Sequence, residues 1–71
     1  MAAKYWMSPL GDTDDFGDKY DKVMYDGKTK MGPWANMTET SYKQFGIGRL
    51  GLGYGQKYEK QADGRWMKVE G

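Results

Sequence analysis

Only one stretch of the chain, Gly32 to Gly46, carries both a start and a stop signal for a helix. That confines the chain to folds in which strands and turns gather around a single helix. Asn36 is placed to accept an orphan N–H of a first helical turn, and Glu39, three residues on, completes a capping box. Pro33 keeps the helix from beginning earlier. Gly46 supplies the stop, since glycine takes the left-handed conformation at little cost. The helix expected is Met37 to Phe45, too short to stand alone. Its apolar stripe of Met37, Tyr42 and Phe45, with Ser41 between, needs a sheet to cover it.

A 71-residue chain makes one domain and buries only about 60% of its unfolded surface. It has no cysteine and no histidine, which excludes disulfides, the usual structural zinc sites, thiol chemistry and histidine acid–base catalysis. The material left for a core is three Trp, six Tyr, two Phe and six Met, large apolar groups with tolerant packing. No apolar run reaches the roughly 18 residues that span a bilayer, and the N-terminus lacks a signal-peptide core. A soluble, cytoplasmic protein without a membrane partner is expected. The charges are sorted: residues 1–26 hold six Asp and three Lys, residues 42–71 six Lys/Arg and three Asp/Glu.

Taken in order, residues 1–18 read as a short strand at Lys4–Met7, a turn at Ser8-Pro9-Leu10-Gly11 and an acidic loop, Asp12 to Asp18. The loop is not a calcium site: Phe16 stands where a ligand is needed, and Val23 where the bidentate Glu belongs. Residues 19–34 read as a hairpin turning at Asp26-Gly27, with alternating apolar residues on either side. Lys28 and Lys30 lie on its exposed face, and Trp34 is expected in the core. After the helix, Gly46-Ile-Gly-Arg-Leu-Gly51 matches G-x-G-x-x-G, but it follows a helix instead of joining a strand to one, so nucleotide binding is rejected. Within this segment, residues 46–55, Ile47, Leu50, Leu52 and Tyr54 are expected to fill space beneath the helix. Residues 56–70 read as a second hairpin around Ala62-Asp63-Gly64. A two-residue turn sets Glu59 against Lys68, and a longer loop sets Lys60 against Trp66.

Three strings, Tyr25-Asp-Gly-Lys-Thr29, Gly32-Pro-Trp-Ala-Asn-Met37 and Gly51-Leu-Gly-Tyr-Gly-Gln-Lys-Tyr58, resemble those of a group of small, mostly uncharacterised bacteriophage-encoded proteins. The resemblance covers residues 14–71. Many such proteins carry a Cys-x-x-Cys pair after the Trp-Ala-x-Met element, which implies a zinc knuckle. Thr38 and Ser41 stand there in this chain, so the resemblance implies a metal-free member, with Asn36 and Glu39 replacing the metal as a local clamp.

The fold class expected is α+β, a small single domain of short antiparallel hairpins around one helix. No nucleophile, base or carboxylate pair is arranged for catalysis, so an enzyme is not expected, nor any cofactor or metal. The leading reading is a phage-type accessory protein that binds a host or phage protein through aromatic and basic side chains. The residues singled out are Arg49, Tyr54, Lys57, Tyr58, Lys60, Arg65, Trp66 and Lys68. The same interleaving of cations and rings also suits a nucleic-acid-binding module, although the whole-chain charge of +1 argues against it. A virion-associated structural component is the third reading.

Overall fold

The computed structural model describes residues 3–8 and 10–71. Four strands, β1 (Val23–Lys28), β2 (Trp34–Met37), β3 (Gly55–Lys60) and β4 (Trp66–Glu70), and one helix, α1 (Glu39–Phe45), follow each other as β1-β2-α1-β3-β4. The strands form one antiparallel sheet in the order β2-β1-β3-β4. This is the α+β architecture of short hairpins and one helix that the sequence predicts.

The two faces of the sheet follow from strand alternation. On one face Tyr25 lies opposite Met37, and Gly27 opposite Ala35. With Val23, Tyr42 and Leu50 these residues make the core beneath α1. The Tyr25 and Tyr42 rings stack 3.9 Å apart, within 4° of parallel. On the other face Met24, 0% exposed, lies opposite Tyr58. Trp6 meets Tyr58 edge-on at 5.6 Å, and Tyr20 meets Trp66 at 5.8 Å. The flat rings and flexible methionines thus fill both layers of a thin core.

Asp26-Gly27 is not a turn: both residues lie inside β1, in register with Asn36 and Ala35. The chain reverses over Thr29–Pro33 instead, where Thr29 Oγ1 donates to the Pro33 carbonyl at 2.8 Å and Gly32 N to the Thr29 carbonyl at 3.0 Å. Gly27 serves a different purpose. It sits opposite Gly55, and a Cβ on it would lie 3.0 Å from the Tyr54 carbonyl oxygen.

Helix α1 begins two residues later than expected. Its N-cap is Thr38, whose Oγ1 accepts the Ser41 N–H at 3.2 Å. Asn36 and Met37 are taken by β2, where Met37, 0% exposed, pairs with Tyr25. Neither Asn36 nor Glu39 acts as the expected clamp; the Thr38 hydroxyl does, accepting from the Ser41 backbone. Gly46 does end the helix, but in extended conformation, φ −72°. Its missing side chain makes room for the Tyr42 ring, from which a Cβ would be only 2.5 Å.

The acidic loop is built into this helix start. The Asp14 carboxylate is buried and accepts backbone N–H groups from Phe16 (2.9 Å), Asp18 (2.8 Å) and Thr38 (2.9 Å). Phe16 stacks on Phe45 at 4.3 Å. The expected N-terminal strand is reduced to a bridge between Tyr5 and Met67. The turn expected around Pro9 involves that residue, which lies outside those described.

In the C-terminal hairpin Lys60 pairs with Trp66, Glu59 with Met67 and Tyr58 with Lys68, the register of the longer loop. Gln61 N donates to the Arg65 carbonyl at 2.7 Å, Gly64 N to that of Gln61 at 2.9 Å, and Gly64 takes φ +90°. That is the three-residue connection in which a left-handed glycine closes the turn. A bulge between Lys57 and Tyr58 then offsets the strands, so that Lys57 pairs with Glu70.

Candidate interaction surface

The eight residues singled out from the sequence do not form one surface. Tyr58, Lys60, Trp66 and Lys68 share the sheet face away from α1, by register. Two of them are largely committed to packing: Tyr58 against Trp6, and Trp66 against Tyr20, with the Lys60 ammonium 5.9 Å from the Trp66 ring. Burial first, then the Asp26 charge, raises the Tyr58 hydroxyl above its ordinary value. Lys57 lies on the opposite face, its ammonium 5.9 Å from the Tyr25 ring. Arg65 ion-pairs with Asp63 at 2.8 Å and lies 4.1 Å over the Tyr5 ring. Arg49 and Tyr54 belong to the glycine-rich segment, the guanidinium 4.3 Å from the ring centroid.

These last two lead to a different assembly. The carboxyl end of β1 and the amino ends of β2 and β3 meet at one end of the sheet, where Lys28 pairs with Trp34 and Gly27 with Gly55. The turn 29–33 is tied there to the end of α1 by Lys30 N donating to the Phe45 carbonyl at 2.8 Å. The turn 51–55 is tied there by Lys28 N donating to the Tyr54 carbonyl at 2.9 Å. Among the described residues seven large apolar side chains stand exposed, and five of them, Met31, Trp34, Leu52, Tyr54 and Val69, are carried by these two turns and the adjoining strand ends. Leu52 is 94% exposed, Met31 62% and Trp34 48%. Lys28, Lys30 and Arg49, all exposed, lie among them.

Two expectations fail here. Leu52 and Tyr54, both exposed, do not fill space beneath the helix; of the four residues expected to do so, Leu50 packs against the core. Trp34 is not a core residue, because as the first residue of an edge strand it has no neighbour on its outer side. The sequence signal for this surface was present: a leucine set between Gly51 and Gly53 has no element on which to lie. Met31, ahead of Gly32-Pro33, likewise falls at a turn.

Asp14, Asp15, Asp18 and Asp26 are gathered elsewhere, along β2 and the start of α1. Burial raises Asp14, but hydrogen bonds from Ser41, Thr38, Asp18 and Phe16 outweigh it and hold the carboxyl below its ordinary value. Asp26 is raised, by burial and then by Asp15. Tyr20, half-buried near Asp14, Asp15 and Asp26, is pushed up to about 12, chiefly by burial. Among the described residues no group of three or more His, Cys, Asp or Glu side chains is placed to hold a metal ion. No helix there is long and apolar enough to cross a membrane.

Comparison with protein-family models gives no match, and comparisons with curated proteins and with solved structures give none either.

Proposed function

We infer that the chain acts by binding and not by catalysis, as a small accessory protein whose working surface is the turn-bearing end of its sheet. One observation carries this reading: among the described residues, five of the seven exposed large apolar side chains are carried at that end with three exposed cations. Exposed apolar residues scattered singly need no explanation, but a cluster marks a place where another surface is met. In a domain with so thin a core, leaving Leu52, Met31 and Trp34 outside forgoes stability that burial would give.

The motif resemblance implies that the surface met belongs to a host or a phage. The nucleic-acid reading loses support, because the cations and rings that motivated it are divided between both faces of the sheet. A strand following Lys57, Lys60 and Lys68 would have to pass around its edge.

Amide spectra of the isotope-labelled protein, in buffer and in whole bacterial extract, test the inference residue by residue. Line broadening confined to residues 28–34 and 49–55, and relieved by Leu52→Ser, is the expected result. Broadening centred on Tyr58 to Lys68, or none, contradicts it.

A further inference from the structure

We propose that this end of the molecule adsorbs to anionic lipid bilayers, Leu52 and Met31 entering the acyl boundary while Lys28, Lys30 and Arg49 lie against the headgroups. The proposal rests on the reading that this end is the working surface, and it names what that surface meets.

Shape is the first argument. Leu52 crowns a turn closed by Tyr54 N and Gly55 N, both donating to the Gly51 carbonyl at 3.0 Å. The flanking Gly51 and Gly53 hold φ +125° and +84°, conformations that fix the side chain outward at little backbone cost. Met31 stands on the neighbouring turn, closed by Gly32 N donating to the Thr29 carbonyl at 3.0 Å, with Gly32 at φ +111°. Both apolar tips stand exposed on their turns, and a cavity lined by Lys22, Val23, Glu59, Lys60 and Gln61 lies at the opposite end of the sheet. An exposed apolar tip enters a fluid acyl layer without a matching pocket, whereas a folded protein must supply one.

Composition is the second. The energetic centres of protein interfaces favour Trp, Tyr and Arg, and leucine and valine are under-represented there. Here the most exposed groups are Leu52 and Met31, while Trp34, at the start of β2, and Tyr54, in the turn before β3, are less exposed. Highly exposed aliphatic groups beside less exposed amphipathic rings suit a bilayer interface.

Charge is the third. Lys28, Lys30 and Arg49 are exposed at this end, and Glu70 is the carboxylate of the strand ends there. The acidic loop is drawn away toward Thr38. A net charge of +1 therefore conceals a local positive field facing the membrane, where each cation contributes about fivefold in partitioning. The absence of a spanning segment, which set membranes aside in the sequence reading, does not bear on adsorption to a surface.

The test is co-sedimentation of the full chain with vesicles of phosphatidylcholine alone and of phosphatidylcholine mixed with phosphatidylserine, with brominated acyl chains as quenchers of tryptophan emission. Binding to the anionic vesicles only, accompanied by quenching, is expected. The double variant Met31→Ser/Leu52→Ser should lose about tenfold or more in partitioning. Lys28→Gln and Lys30→Gln should each lose about fivefold, and Lys60→Gln, at the far end of β3, should be unchanged. Circular dichroism confirms that each variant is folded. No sedimentation at low salt overturns the proposal, and so does binding that survives the double variant, which means charge attraction alone. A single-stranded oligonucleotide bound where vesicles are not also overturns it, in favour of nucleic acid. If vesicles fail but the spectral footprint in extract still depends on Leu52, the lipid assignment falls and the working surface stands. If both fail, both readings fall.

Discussion

Gly27 and Gly55 face each other across the central strand pair, and neither position has room for one more carbon. A Cβ on Gly55 would lie 2.8 Å from the Gly27 Cα, on a backbone already at φ +151°. Gly48, by contrast, has φ +79° and nothing within 4 Å. Gly48→Ala should therefore cost about 1–2 kcal/mol, the price of a left-handed alanine. Gly55→Ala adds a backbone clash and should cost about 3 kcal/mol or more, a large share of the roughly 5 kcal/mol that stabilises so small a domain. Urea midpoints of the two variants check the difference, and equal midpoints would refute the close-approach account. Asp26 provides a second contrast at this scale. Its carboxyl is raised by burial and by Asp15, so its contribution to stability is present below its unfolded pKa and lost as pH rises through the folded one. At pH 7 the charge opposes folding. Asp26→Asn, whose side-chain oxygen can still accept from Asn36 Nδ2, 3.5 Å away in the native pair, should raise the urea midpoint at neutral pH and lose that advantage in acid.

At the scale of elements, the start of α1 shows how the sequence both revealed and misplaced the structure. Two residues of favoured cap type lie two apart, Asn36, with Glu39 three residues on, and Thr38. The tertiary partners decide: Met37 is needed opposite Tyr25, so β2 takes Asn36 and Met37 and leaves the cap to Thr38. The same competition hid the first hairpin. Asp26-Gly27 satisfies the turn rule, but Gly27 is required beside Gly55 by a contact 28 residues away, which no local pattern encodes. The helix itself, its end at Gly46 and the hairpin around Asp63-Gly64 were legible because their signals are local. The exposed end was missed because exposure of Leu52 and Trp34 is decided by which strands lie at the edge. The corrected cap makes a prediction. Thr38 Oγ1 also donates to Asp18 Oδ2 at 2.5 Å, so Thr38→Ala should cost about 1–2 kcal/mol and Asn36→Ala less, measured by chemical denaturation. Asp14 adds a pH signature. Its folded-state carboxyl is depressed, so its contribution is present above the unfolded pKa and lost as pH falls through the folded value. Acid should loosen the Thr38 cap, and Asp14→Asn should flatten that part of the profile.

Across the whole molecule, the segment ahead of β1 reaches both edges of the sheet. Trp6 N donates to the Trp66 carbonyl at 2.9 Å, and Lys68 N to that of Lys4 at 2.7 Å, along the outer side of β4. At the other edge Asp15 N donates to the Asn36 carbonyl at 3.1 Å, and Asn36 N to Asp15 Oδ2 at 2.8 Å. Unpaired sheet edges invite a second chain, and here one stretch of backbone occupies parts of both. Between these anchors Trp6 also covers Tyr58. A chain shortened to begin at Gly11 keeps the acidic loop and its hold on Thr38, but loses the cover of β4. The deletion removes two backbone hydrogen bonds, about 1 kcal/mol each, and an aromatic pair of about 0.5–1.5 kcal/mol. A loss of about 3 kcal/mol should therefore appear as a lower urea midpoint. The bared β4 edge, beside half-buried Trp66 and Met67, should then make the shortened chain associate as its concentration rises, which sedimentation velocity against the full chain would reveal. If the shortened chain matched the full one in both measurements, Lys4 to Trp6 would not be part of what holds the sheet. If only association appeared, their role would be to block the edge, with stability supplied by the core beneath α1.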